Sequence, residues 1–142
     1  MDKKLSPHPC RWCGGKVEKP RRTWCSDRCV SEFTNRHHQA AFAKFVWENS
    51  YKRCADCHID LEAYGKLLRS LDFAKREALS KLVGLPISNY WQADHIVPQA
   101  FGGDELDPKV NGQVLCHRCH SKKTALDIAA IKMLKKEAAC VG

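Results

Sequence analysis

Eight of the nine cysteines fall into four short pairs, and this pattern restricts the fold more than any other feature of the chain. The pairs are Cys10/Cys13, Cys25/Cys29, Cys54/Cys57 and Cys116/Cys119; Cys140 stands alone and receives no role. The start, MDKKLSPHPC, lacks the apolar core of a signal peptide, so a cytosolic or nuclear address is expected. Clustered cysteines in such compartments bind metal rather than one another. The first two pairs flank a short basic linker, KVEKPRRT, and suit one tetrahedral zinc site with four cysteine ligands. Little apolar sequence lies between them to build a core, which favours zinc over four buried or free thiols. Cys54/Cys57 opens a second knuckle whose partner pair is Cys116/Cys119. His58 and His117 sit beside these cysteines and could replace one, but four sulfurs remain the better set.

Charge adds a partner class. The net charge is +8, unevenly spread. Residues 1–53 carry twelve Lys/Arg against five Asp/Glu, whereas residues 54–142 carry twelve against eleven. Such an excess points to a polyanion, most often nucleic acid, with solubility as the plain alternative. Lys16, Lys19, Arg21, Arg22 and Arg28 are the candidate contacts. No long apolar run suggests a membrane span.

With 142 residues, the chain has room for one domain, or one plus a small module. Residues 1–9 are polar with two prolines and are expected to be poorly ordered. Ser26 suits the N-cap of a single helix from about Asp27 to about Asn49, with Val30, Phe33, His37, Ala41, Phe45 and Trp47 on its apolar stripe. His37 and His38 read as packing or surface residues. Residues 59–85 read as a helical insertion. Leu61, Leu67, Leu68 and Leu71 mark one helix; a second, capped by Asp72, carries Phe73, Ala78, Leu79, Leu82 and Val83 and ends at Gly84 and Pro86. Its leucines are expected in the core. A strand from Tyr90 to Val97, a loop through GGDELDP and a strand from Gly112 to Leu115 form a hairpin. A last helix runs from Cys116 to about Ala139, with Leu126, Ala129, Ala130, Met133 and Leu134 inward. The organisation expected is α+β: an N-terminal four-cysteine zinc module over 1–30, a linking helix over 31–53 and a larger domain over 54–142.

Within that larger domain, the stretch from Trp91 to Thr124 holds Asp94-His95, Pro98, Gly102-Gly103, Asn111, Leu115, Cys116, Cys119-His120, Lys123 and Thr124. In this order the set resembles the HNH nuclease family, which has a ββα-metal fold. The split cysteine set resembles the zinc-stapled branch of that family. The resemblance implies that His95 is the general base activating water, and that Asp94 and His120 hold a divalent metal. Asn111 either ligates that metal or braces the loop that positions the base. Carboxylate, imidazole and water suit Mg²⁺ or Mn²⁺, in contrast to the two structural zinc sites. Lys123 either contacts the scissile phosphate or is a solvated lysine. Some family members carry a second helix histidine where this chain has Thr124, which weakens the case for tight transition-metal binding. A wider resemblance runs from Arg21-x-Thr23-Trp24-Cys25 through Phe33 and on to Cys54–Asp60. It is similar to HNH modules attached to DNA-annealing translocases, which implies a helicase, translocase or other DNA-processing partner. The activity implied is a metal-dependent DNA endonuclease of low sequence specificity, or one nicking structured DNA. The alternatives are a non-catalytic zinc-stabilised DNA-binding or adaptor module and, more remotely, RNA as substrate.

Overall fold

A computed structural model describes residues 7–141. Residues 1–6, which make up most of the polar N-terminal segment, and Gly142 lie outside the described residues. The chain divides into two compact units, the first ending at Phe42 and the second beginning at Ala43. The fold is mixed helix with one small antiparallel sheet, as expected from the sequence.

The first unit is built on its cysteines. Cys10, Cys29 and Val17 are its buried centre, with Trp12, Trp24 and Cys25 packed against them. One buried valine is a small apolar core, so tetrahedral ligation has to supply much of the cohesion. Helix α1 (Asp27–His37) starts at Ser26, whose hydroxyl accepts a hydrogen bond from the Cys29 amide. Arg36 on α1 is only 8% exposed. Its guanidinium lies 4.5 Å from the Trp12 ring and pairs with Glu32 one turn earlier. Arg11 lies over Phe33 in the same manner, 4.7 Å from its centroid.

The single helix expected from Asp27 to Asn49 is divided. His38 adopts an extended conformation (φ −108°, ψ 112°), and a second helix, α2, runs Gln39–Glu48. The break resets the helical phase. The buried residues of α2 are therefore Phe42 and Val46, while Ala41, Phe45 and Trp47 are only partly covered.

In the second unit, Cys54 opens a knuckle ahead of the helical insertion, with its carbonyl accepting from the His58 amide. Helix α3 (Leu61–Ser70) is capped by Asp60 and α4 (Phe73–Val83) by Asp72, each carboxylate accepting an amide hydrogen bond. Leu61, Tyr64 and Leu68 are buried at helical spacing on α3. The Tyr64 hydroxyl donates to the Leu85 carbonyl at 3.0 Å and closes the insertion. The expectation that every leucine here is core fails. Leu67 is 46% exposed and Leu82 85% exposed, and α4 buries no residue. Burial depends on what a helix packs against, which its own periodicity does not report.

Strands β1 (Trp91–His95) and β2 (Gly112–Cys116) pair antiparallel, with Asp94 opposite Gln113, His95 opposite Gly112 and Trp91 opposite Cys116. Between them lie two 3-10 turns (Gln99–Phe101 and Gly103–Glu105) and a one-turn helix, α5 (Pro108–Asn111). Helix α6 (His117–Val141) follows β2 without a loop. Its first turns lie on the hairpin, and Cys119 is its one buried residue. Leu126, Ala129, Ala130, Met133 and Leu134, expected to face inward, are exposed because no described element covers the far part of this helix.

Candidate active site and metal centres

Two groups of four sulfurs stand out. The Sγ atoms of Cys10, Cys13, Cys25 and Cys29 all lie within 4.8 Å of one another, and so do those of Cys54, Cys57, Cys116 and Cys119. Among the described residues these are the groups of three or more ligand atoms close enough to share one ion. Separations of 3.5 Å (Cys13–Cys25), 3.4 Å (Cys25–Cys29) and 3.7 Å (Cys57–Cys116) are near the edge of about 3.8 Å in a tetrahedron with zinc–sulfur bonds of about 2.3 Å. His58 and His117 are exposed and stand outside both groups.

The electrostatics agree. Burial pushes the Cys10 thiol up, but the backbone amides of Cys13, Cys25 and Trp12 outweigh it and hold it at about 6. Burial likewise opposes ionisation of Cys54, yet the amides of Cys116, Cys57 and Asp56 bring it to about 7. The partners resist. Hydrogen bonds with Cys29 and Cys13 push Cys25 up to about 12, and burial with neighbouring thiols raises Cys119. In each quartet one thiol is lowered while a neighbour is raised. A divalent cation at the centre removes that conflict, so both sets fit zinc.

The second quartet lies beside the candidate site residues. Cys116 ends β2 and Cys119 lies on the first turn of α6, so the staple fixes the corner between hairpin and helix. One turn of helix separates Cys119-His120 from Lys123. The Asp94 side chain is 14% exposed and that of His120 31% exposed, with Asp94 Oδ1 and His120 Nε2 3.8 Å apart. One carboxylate oxygen and one imidazole nitrogen at this separation can share a hard divalent ion while leaving positions for water and phosphate, so the pair fits Mg²⁺ or Mn²⁺. His95 is the next residue on β1, and alternation sends its side chain to the other face. Burial is the main cause that holds its imidazole below the ordinary histidine value. Asp94 and Asp104 pull the other way, and Lys123 adds to the lowering. A ring kept neutral near neutral pH can accept a proton.

Asn111 is 3% exposed, and its side chain is fully engaged. Oδ1 accepts from the Val97 amide at 2.7 Å, and Nδ2 donates to the carbonyls of Val97 (3.1 Å) and Gly103 (2.9 Å). Its own carbonyl accepts from Ile96 at 2.8 Å. These contacts tie the segment after His95 to the base of the loop. Gly103 is needed for the close approach, since a Cβ there would lie 1.7 Å from the Val97 carbonyl oxygen.

Lys123 is engaged too. Its ammonium donates to the His95 carbonyl at 3.0 Å, lies 3.0 Å from Asp94 Oδ2 and pairs with Asp127 at 2.5 Å. Burial alone would lower its pKa, but hydrogen bonds and charge from Asp127 and Asp94 outweigh this and hold it above the ordinary lysine value. Gln113 Nε2 donates to the same Asp94 oxygen at 3.0 Å. Sequence reading missed Gln113 and Asp127. Gln113 is visible only through the strand register, whereas Asp127 sits four residues after Lys123 and signals a helical ion pair. Of the five basic candidates in the first unit, all are exposed. Lys19, Arg21 and Arg22 line one hollow of about 430 Å³ with His8, and Arg21 pairs with Asp27 at 2.8 Å.

The "DNA annealing helicase and endonuclease ZRANB3" of Bos taurus is 27% identical over 132 aligned positions, which cover 80% of this chain and 12% of that protein. The Homo sapiens and Mus musculus proteins of the same name are 27% and 26% identical, each over 72% of this chain and 11% of their own length. The chain thus spans about a tenth of the length of these relatives. No solved structure matches. The family model described as HNH endonuclease matches residues 82–126, which hold β1, β2, Asp94, His95, Asn111 and His120. The match spans the hairpin and the start of the last helix.

Proposed function

We propose that this protein is a metal-dependent DNA endonuclease in which His95 takes a proton from the attacking water. The observation carrying this reading is the adjacency of Asp94 and His95 on one strand, with His120 Nε2 3.8 Å from Asp94 Oδ1. Phosphodiester hydrolysis needs a base for water and positive charge for the phosphorane and the leaving oxygen. Asp94 and His120 would hold a Mg²⁺ or Mn²⁺ ion, which supplies that positive charge when bound. His95, on the opposite face of the strand and kept neutral by burial, removes the proton. Asn111 braces the segment that carries His95, so it acts by position rather than as a ligand. Zinc in each cysteine quartet is structural, since four sulfurs leave no open coordination position.

DNA is the substrate this reading favours. The exposed Lys16, Lys19, Arg21, Arg22 and Arg28 would grip phosphates, which gives affinity without sequence choice. The relatives named as annealing helicase and endonuclease suggest work on structured DNA beside a helicase or translocase. The test is nicking of supercoiled and branched DNA with Mg²⁺ or Mn²⁺, alongside an EDTA control and His95→Ala. The expected loss in the variant is about 10²-fold or more, with DNA binding and fold retained. Binding without cleavage by the unaltered protein would favour a non-catalytic adaptor.

A further inference from the structure

The cluster around Asp94 contains a cation that the proposed chemistry does not use. The Lys123 ammonium donates to the His95 carbonyl and to Asp127 Oδ2, and lies 3.0 Å from Asp94 Oδ2 as an ion pair. An ammonium held this way is poorly available to a phosphate. Gln113 also holds Asp94 Oδ2, so that oxygen is doubly engaged, while Oδ1 is the one near His120. The side chains of Lys123 and Asp127 are 21% and 28% exposed, so water only partly screens their charges.

We propose that Lys123 is a positioning residue and internal counter-ion, not a substrate contact. It pins one oxygen of Asp94 and the backbone of His95 to α6, and Asp127 sets how much of its charge reaches Asp94. Three charged side chains then leave the site with one net negative charge: Asp94 and Asp127 are negative and Lys123 positive. A site with so little negative charge binds a divalent cation weakly and depends strongly on the Lys123–Asp127 balance. The inference rests on the nuclease reading, because it takes Asp94 and His120 as the divalent ligands.

Two substitutions separate this from a merely structural role. Lys123→Met removes the positive charge while Gln113 still holds Asp94 Oδ2, so Mn²⁺ affinity should rise. Asp127→Asn keeps a hydrogen-bond acceptor for Lys123 but removes its negative partner, so Mn²⁺ affinity should fall. A change of about 3- to 10-fold in each direction is expected after allowance for partial exposure. Mn²⁺ titration calorimetry on the zinc-loaded full chain reads this directly, with Asp94→Asn as reference. A fall in both variants, or no change in either, overturns the proposal. Mn²⁺ binding by the unaltered protein that Asp94→Asn does not weaken overturns the nuclease reading instead. A second readout needs no divalent ion: the Lys123 ammonium should give a slowly exchanging ¹⁵N–¹H signal that Asp127→Asn weakens. Its absence overturns the pinning of Asp94 whichever way the titration falls.

Discussion

The two cysteine quartets are built alike and placed differently. In each, a C-x2-C knuckle is followed by a residue in left-handed conformation, Gly14 at φ 70° and His58 at φ 64°. Its amide bonds back to the first cysteine carbonyl, at 2.8 Å for Gly14 and 2.9 Å for His58. In each, the last cysteine lies in the first turn of a helix, Cys29 on α1 and Cys119 on α6. They differ in reach. The first joins halves 12 residues apart, from Cys13 to Cys25; the second joins halves 59 apart, from Cys57 to Cys116. Loop-closure entropy alone makes the longer connection about 1.4 kcal/mol costlier to close. The longer one also encloses the helical insertion and the hairpin. The first staple thus stands in for a core, whereas the second closes around a site.

The comparison breaks most visibly when one ligand is removed from either set. Cys54→Ala should strip amide protection from the second unit and abolish nicking. The free energy at stake is on the order of 10 kcal/mol for a structural zinc. Cys10→Ala should melt only the first unit and leave the second protected and loaded. Zinc content of about two per chain should fall to about one in each variant. Hydrogen exchange is the check; loss of protection beyond residue 43 in Cys10→Ala would mean that the units fold as one.

A smaller effect sharpens the division of labour. Arg21→Ala with Arg22→Ala should weaken DNA binding and reduce the slope of log affinity against log salt by about 2, about one for each lost phosphate contact. Single-turnover cleavage at saturating DNA should hardly change. An unchanged slope places the grip elsewhere.

The smallest effect concerns the knuckles themselves. A side chain in the left-handed region costs about 1–2 kcal/mol, so His58→Gly should stabilise the second unit by about 0.5–1 kcal/mol after the added chain entropy. Gly14→Ala should destabilise the first by about 1 kcal/mol through backbone strain alone, since no atom lies within 4 Å of the added Cβ. Thermal melts of the loaded proteins read both signs. Two shifts in the same direction would mean that the knuckles are not equivalent.

What was legible in the chain was local. Cysteine spacing, the Asp94-His95 adjacency and the Ser26 and Asp72 caps all act over a few residues, and the sequence displays them directly. The break at His38 has no glycine or proline to mark it. The exposure of α4 and of most of α6 depends on what lies opposite, which no periodicity encodes. The Asp94–Gln113 contact arises from strand register across 19 residues. Lys123 illustrates the limit: its chemistry suits a phosphate contact, but its neighbours in space are carboxylates and a carbonyl.

The hairpin has five paired positions and side chains that alternate in direction, so its register acts as a form of error control. A slip of one residue would turn Asp94 away from α6 and bring His95 toward it, exchanging the proposed ligand and the proposed base. Cys116 holds one end of that ladder through its sulfur, and Gly112 holds the other against Val46 and Pro108 with no room for a side chain. A cysteine outside the Asp94–His120 pair thereby helps to set which of two neighbouring residues faces α6.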